Sequence, residues 1–156
     1  MRLPPRRLLA AACALVLLLL GTSLVLPPGA EIRRTRDLTA PRAVIHPWLA
    51  EPGLWSRWAP DWMRADSPGS QTAVVTAALP QRGVWCDLAG LGARVGKSAI
   101  LYSDTPGGTP GETRITWILR TDVGFDPFRR WTALLADGRY GPQMEAALER
   151  LAESLP

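Results

Sequence analysis

Two residue types that often carry catalysis are scarce in this sequence: there is one histidine, His46, and the two cysteines are Cys13 and Cys86. A histidine acts as a general acid or base when a partner sets its tautomer, and a cysteine acts as a nucleophile when a base lies beside it. No carboxylate is paired with His46 nearby in sequence, and Cys86 sits in a Val-Trp-Cys-Asp-Leu pattern typical of a small buried residue. One histidine and two separated cysteines cannot supply a usual zinc site. The sequence therefore predicts no catalytic residue, no metal site and no cofactor, and disfavours an enzyme.

A glycine-rich segment that ends in Gly96-Lys97-Ser98 resembles a phosphate-binding loop. That motif requires Gly, four residues and then Gly-Lys-Ser, ahead of a helix whose amides surround the phosphates. Its first position is Leu91 here, and residues 99–102 read as a strand. The context argues against nucleotide binding.

The 156 residues carry a net charge of +4, with 18 basic and 14 acidic groups. Lys97 is the one lysine, so the other 17 basic residues are arginines, and Arg2, Arg6 and Arg7 precede the first apolar run. After these three, 15 basic groups face 14 acidic ones. The sequence pI of about 9.8 therefore does not predict nucleic-acid binding.

Residues 8–26 form an uncharged apolar run of 19 residues, which at about 1.5 Å per residue nearly spans the hydrocarbon core of a bilayer. We predict a basic tail over 1–7, a single-pass transmembrane signal anchor over 8–26 and a linker over 27–30. A cleaved signal peptide is the alternative, although Pro27-Pro28 makes a poor cleavage context. The basic tail favours an inside N-terminus and a domain outside the cytoplasm, at the cell membrane.

Residues 31–156 are predicted to form one α+β domain, since strand-like alternation comes first and a helical pattern ends the chain. A short helix follows Pro41, and Asp126 and Pro127 begin a long C-terminal helix, interrupted at Gly138, Gly141 and Pro142. The strands are predicted over residues 31–39, 72–79, 84–88, 98–103 and 113–121.

Arg114 and Arg120 lie on the outer side of the predicted strand over 113–121. They either bind an anionic headgroup or form part of a solvated sheet face. The second interpretation is favoured, because arginine is frequent throughout the chain.

Several segments resemble one known family. A strand leads into a helix started by Pro41 and then into a Trp-rich turn over residues 54–60, LWSRWAP. Residues 111–117, GETRITW, resemble the strand that follows a Gly-rich turn, and the Gly141-Pro142 region with Met144 resembles the second half of the long helix. These features resemble the SRPBCC superfamily (START-like; the polyketide cyclase/dehydrase and lipid-transport family), and most closely its bacterial members with an N-terminal membrane helix.

The resemblance implies a helix-grip fold, in which a curved antiparallel sheet holds the C-terminal helix around an apolar cavity. The family's extra strand hairpin has no room between Pro60 and Ser70, and this shortening bears on the size of the cavity. Large aromatic and flexible Met side chains suit such a pocket. The pocket candidates implied by the family are Trp85, Trp117, Leu119, Trp131, Leu135 and Met144. The alternative interpretation is that these residues are ordinary core.

The resulting hypothesis is a membrane-anchored SRPBCC/START-like domain that binds a hydrophobic small molecule or a lipid between the sheet and the C-terminal helix. Two alternatives stay open. One is a cyclase- or dehydratase-like enzyme that uses His46 or an Asp, and the other is a non-catalytic structural or interaction domain with a filled core. The expected partners are the ligand and the membrane, with no nucleic acid; the ligand's identity, any protein partner and the oligomeric state are not predicted.

Overall fold

The computed structural model describes residues 5–64, 72–89, 95–109, 111–124 and 126–156, with residues 5–8, 72 and 95 described by their backbone. Residues 1–4 of the predicted basic tail, most of the shortened stretch between Pro60 and Ser70, and Leu91 of the rejected phosphate loop lie outside these ranges.

Within the described residues, the alternating segments form one antiparallel sheet with the strand order β1-β5-β4-β3-β2. The predicted strands are confirmed, with ends that differ by three residues or fewer. The strands are β1 (Gly29–Leu38), β2 (Thr72–Leu79), β3 (Gly83–Ala89), β4 (Val95–Asp104) and β5 (Thr113–Asp122).

The sheet begins earlier than predicted, because β1 starts at Gly29. Gly29 and Ala30, predicted as linker, pair with Asp122 and Thr121 at the end of β5. A Cβ at position 29 would collide with the Thr121 carbonyl oxygen, so glycine permits this close pairing. The start of β1 is therefore set by the length of β5, its pairing partner. It cannot be read from apolar alternation in the sequence.

One side of the sheet, here called the inner face, carries its buried apolar side chains. Successive strand residues point to opposite sides, so the register places these side chains together. They are Ile32, Leu38, Val84, Cys86, Leu88, Ile100, Tyr102, Ile115, Trp117 and Leu119.

The C-terminal helix packs against this inner face and completes an α+β, helix-grip-like fold. Its buried stripe recurs at three- and four-residue steps, with Tyr140, Met144, Leu148 and Leu151 as the large members. The helices are α1 (Pro5–Val25), α2 (Arg42–Ala50), α3 (Trp55–Trp58), α4 (Pro127–Leu134) and α5 (Ala136–Ser154), with 3₁₀ turns at Pro52–Leu54 and Asp61–Met63.

The predicted long helix is two helices, and its break lies at Leu135 instead of at Gly138, Gly141 and Pro142. The Leu135 amide bonds the Thr132 carbonyl three residues back, so the chain tightens and leaves the α4 axis there. Gly138, Gly141 and Pro142 lie inside α5. The predicted N-cap is confirmed, because Asp126 accepts hydrogen bonds from the amides of Phe128 and Arg129 at 3.0 and 3.2 Å.

At the amino-terminal end, α1 covers most of the run predicted to cross a membrane. Among the helices of the described residues, none meets the length and hydropathy expected of a membrane span. The transmembrane part of the sequence hypothesis stays a prediction.

Candidate functional site

Between the inner face and α5, five aromatic side chains form a continuous chain of ring contacts. Trp58 contacts Trp55 and Trp117 with ring centroids 6.5 and 5.9 Å apart. Trp62 in turn contacts Trp117 and Tyr140, at 6.0 and 5.7 Å. Three of these four contacts are edge-on, the geometry that aromatic quadrupoles favour. We call these five residues the aromatic cluster.

The indole N–H groups of this cluster differ in how they are satisfied. Three donate to an oxygen of the chain: Trp55 Nε1 to Leu49 O at 3.0 Å, Trp58 Nε1 to Trp48 O at 2.9 Å and Trp117 Nε1 to Ser98 Oγ at 2.8 Å. The Trp62 Nε1 is buried and has no hydrogen-bond partner within the described part of the chain. A buried donor without an acceptor costs about 1–3 kcal/mol, so an acceptor from outside the described residues would stabilise this N–H.

Trp62 is the least buried of the four tryptophans in the aromatic cluster. Trp62 and Tyr140 are 9% and 8% exposed, whereas Trp58 and Trp117 are fully buried, so Trp62 and Tyr140 form the less buried end of the aromatic cluster. Met63 and Met144 belong to the same buried cluster, and Met side chains adapt their shape more readily than other apolar residues. The arrangement combines a wide apolar surface with one unsatisfied donor, which suits a mainly hydrophobic ligand that carries an acceptor oxygen.

Three of the six predicted pocket residues come together here. Trp117, Leu119 and Met144 all belong to the core between the sheet and α5, and each is fully buried. Trp85 lies elsewhere, since it pairs with Ala99 across β3 and β4 and faces the opposite side of the sheet from Trp117. Neighbouring residues of a strand point to opposite faces of the sheet. The sequence alone did not show which of the two faces Trp85 occupies.

The remaining two predicted residues, Trp131 and Leu135, do not point into the space between the sheet and α5. Trp131 lies beside α1, and Leu135 is largely exposed at the junction of α4 and α5. The break at Leu135 separates α4 from the stripe that continues in α5, so the two helices turn different residues toward the sheet. The buried face of α4 holds Arg130 and Ala133.

His46 lies on α2 and has a phenol as its partner. Its Nδ1 is 3.1 Å from the Tyr102 hydroxyl, and the two rings meet edge to face. Burial raises the pKa of Tyr102 above its usual range, so the phenol stays protonated and donates in this pair when Nδ1 is unprotonated. The pair joins α2 to β4, and its geometry accounts for the half-buried position of His46 without a catalytic role.

The structure also accounts for the other reactive or charged residues considered above, Cys86, Arg114 and Arg120. Burial, and then the neighbouring Asp87 charge, raises the pKa of Cys86 to about 12, which keeps the thiol protonated and unreactive. Arg114 and Arg120 pair with Asp37 and Glu31 of β1, so these two arginines of the outer face are neutralised locally. In the described part of the chain, no group of His, Cys, Asp and Glu side chains could hold a metal ion.

An open groove of about 1120 Å³ lies where the start of β1, the end of β5 and the start of α4 meet. Its charged lining is balanced, with three acidic and three basic side chains: Glu31, Asp122, Asp126, Lys97, Arg120 and Arg129. This balance favours neither an anionic nor a cationic ligand, so the aromatic cluster remains the better candidate site.

No family model and no curated protein matches this chain. Solved structures share its antiparallel sheet and helix at low identity, and three of them are described here. The Aha1 dimer of Colwellia psychrerythraea has a TM-score of 0.57 at 12% identity, over 81% of this chain and 96% of that one. CalU16 of Micromonospora echinospora has 0.54 at 15%, over 82% and 75%, and CV1439 of Chromobacterium violaceum has 0.54 at 14%, over 80% and 96%. At these identities the similarity establishes the fold alone.

Proposed function

We propose that this protein is a membrane-anchored SRPBCC/START-like domain that binds a hydrophobic small molecule or lipid between its sheet and α5. The observation that carries the proposal is the buried N–H of Trp62 within the aromatic cluster, which has no acceptor among the described residues. The shared fold supports the sheet-and-helix scaffold, and the ligand class is inferred from the chemistry at Trp62.

A ligand oxygen at Trp62 Nε1 would remove the cost of an unsatisfied buried donor, which is about 1–3 kcal/mol. The rest of the ligand would lie against Trp117 and Tyr140, where aromatic rings offer large apolar area. Met63 and Met144 would change rotamer to admit it, because both are unbranched and flexible. The preferred ligand is therefore an apolar molecule with a carbonyl, ester or carboxyl oxygen.

The membrane anchor is the second part of the proposal. The uncharged run over residues 8–26 supports a retained helix in the bilayer, and Arg2, Arg6 and Arg7 support an inside N-terminus. An anchored domain would be held next to the phase in which apolar ligands concentrate. The same bilayer is a source of acyl chains with ester oxygens.

Native mass spectrometry of the detergent-extracted full-length protein tests the binding site. The wild-type chain should carry a non-protein mass, and Trp62→Phe should bind it about fivefold more weakly, since one hydrogen bond is worth about 1 kcal/mol. The control is Trp85→Phe on the outer side of the sheet, which should keep the adduct.

Stability separates this role of Trp62 from a structural one. Trp62→Phe and Trp58→Phe both remove buried ring volume, but only the Trp58 N–H has an acceptor in the described chain, so ligand-free Trp62→Phe should lose less stability than Trp58→Phe. A loss of stability in Trp62→Phe as large as that in Trp58→Phe, or a wild-type protein free of any adduct, would contradict the proposal.

A second candidate is an interaction domain with a filled core. The observation that favours it is the complete burial of Trp58, Trp117 and Met144, whose side chains occupy the space between the sheet and α5. This candidate would be favoured if the wild-type protein carries no adduct and Trp62→Phe is likewise free of adduct in native mass spectrometry.

A further inference from the structure

The short helix α4 turns its largest apolar side chains away from the core. Phe128, Leu134 and Leu135 at its end are 73%, 52% and 73% exposed, and Trp131 is 38% exposed. Helices of globular proteins normally bury such a stripe. An exposed group of this kind marks a surface that contacts another apolar phase. We call these four residues the α4 patch.

The α4 patch continues without interruption into the apolar surface of α1. Phe128 and Trp131 share an apolar cleft of about 270 Å³ with Val16, Leu19 and Leu20 of that helix. The rest of α1 is also apolar and open to its surroundings, as at Leu9, Leu15, Leu17, Leu18, Leu24 and Val25. Two elements that are more than 100 residues apart thus form one apolar surface.

Arg130 holds these two elements together. Its Nη1 donates to the carbonyls of Ser23, Leu24 and Leu26 at 3.0, 3.3 and 3.3 Å, and its Nε donates to Gly124 at 3.1 Å. The last carbonyls of a helix have no partner within it, and they carry the negative end of the helix dipole. A buried cation at this point therefore fixes α4 beside the end of α1.

We propose that α4 lies on the lipid bilayer where α1 leaves it, with Phe128, Trp131, Leu134 and Leu135 in contact with lipid. This inference rests on the proposed membrane anchor. The bilayer is the occupant that the observations favour, because the α4 patch is continuous with a helix that is apolar around its exposed circumference. Interfacial helices bury their apolar face about 5–10 Å deep and commonly use Trp, Phe and Leu for it.

The charges at the start of α4 are compatible with this position. Arg129 pairs with the N-cap Asp126 at 3.3 Å, so the first turn presents a neutral ion pair at the level of the headgroups. Arg130 is buried against carbonyls. The anchor and α4 would then set the domain at one orientation on the membrane.

Site-directed fluorescence in vesicles tests the inference on the full chain. In a Cys13→Ser background, Leu135→Cys is labelled with the environment-sensitive fluorophore NBD and reconstituted in phosphatidylcholine vesicles with or without doxyl-labelled lipid. Cys86 is buried and remains unlabelled. Leu15→Cys on α1 reports insertion of the anchor, and Val74→Cys on the exposed edge strand β2 is the control.

We expect the Leu135→Cys label to show a blue-shifted emission and strong quenching by doxyl lipid, as at Leu15→Cys, and the Val74→Cys label to show neither. Quenching at Leu15→Cys without quenching at Leu135→Cys overturns the inference and leaves the anchor intact. No quenching at Leu15→Cys contradicts both.

A blue-shifted Leu135→Cys label that doxyl lipid does not quench would mean that another protein or a second copy covers the α4 patch, which also overturns the inference. Phe128→Cys is a second reporter should Leu135→Cys fail to fold, and far-UV circular dichroism of each variant establishes its fold.

Discussion

Arg130 is a charged side chain at a position where a small helix meets the domain, and it is only 7% exposed. Its guanidinium satisfies carbonyls at the end of α1 and one in the loop before α4. Such a cation is stable when buried because its Nε and Nη1 donate to carbonyl oxygens and the helix dipole favours positive charge there. One residue thus links the amino-terminal helix to the C-terminal part of the chain.

Replacing Arg130 by Met keeps much of the side-chain length and removes the donors. We expect Arg130→Met to lower the free energy of unfolding by about 1–3 kcal/mol, because buried carbonyls lose their partners. Chemical unfolding of the detergent-solubilised full chain measures this. The neighbouring Arg129→Met should cost less than about 1 kcal/mol, since Arg129 forms a partly exposed pair with Asp126. Equal losses in the two variants would show that Arg130 is not the link.

At the scale of elements, β1 and β5, the first and last strands along the chain and neighbours in the sheet, are joined by ion pairs on the outer face. Glu31 lies directly opposite Arg120, and Asp37 directly opposite Arg114, in the β1–β5 register. Arg114 donates to both carboxylate oxygens of Asp37, at 2.7 and 2.8 Å, and Arg120 donates to Glu31 at 2.7 Å. Opposite charges at facing positions favour this register over a slipped one.

The pairs predict how stability depends on pH. The hydrogen bond from Arg114 lowers the pKa of Asp37 below its ordinary 3.8, and that from Arg120 lowers the pKa of Glu31 below 4.5. A carboxylate whose pKa is lower in the folded state contributes stability above its unfolded pKa and loses it as the pH falls through the folded value. We expect the melting temperature to fall as the pH drops below about 4.5, and to fall less in high salt.

Asp37→Asn should flatten that acid dependence, because the amide no longer titrates. Thermal melting across the acid range measures it, with Glu153→Gln on the exposed end of α5 as the control. An Asp37→Asn profile that follows the wild type would show that the β1–β5 pair does not contribute.

At the scale of the whole molecule, the sheet joins the two ends of the domain, because β1 from the amino-terminal part pairs with β5 from the C-terminal part. The carboxyl end of α1 lies close to this pairing, since the Val123 amide donates to the Pro28 carbonyl at 2.8 Å. The aromatic cluster lies on the inner face of the same sheet. The proposed anchor and the proposed ligand site therefore belong to one packed unit.

The proposed orientation in the membrane makes a prediction for the whole molecule. In a Cys13→Ser background, Val74→Cys should react with a membrane-impermeant maleimide on intact spheroplasts, because an inside N-terminus places the domain outside. Leu15→Cys, within the apolar run, should stay unlabelled before and after lysis. Labelling of Val74→Cys only after lysis would reverse the orientation.

Only part of the candidate site could be predicted from the sequence. The family resemblance implied that Trp117, Leu119 and Met144 meet between the sheet and the helix, and strand alternation and helical spacing placed them on apolar faces. Trp62 lies two residues beyond the Trp-rich turn over 54–60 and is not among the predicted pocket residues. Its distinguishing property is that its N–H has no acceptor among the described residues, which depends on the atoms packed around it and leaves no signal in the sequence.

The sequence by itself determined the α+β class, the strands and the N-cap of α4, because alternation, turn residues and capping act over a few neighbouring residues. Only the tertiary structure decided which way α4 faces and that Arg130, not Trp131, is on its buried side. The physical reason is that an apolar stripe shows which side chains avoid water but not what shields them. Here the shield beside Trp131 is α1, more than 100 residues away along the chain.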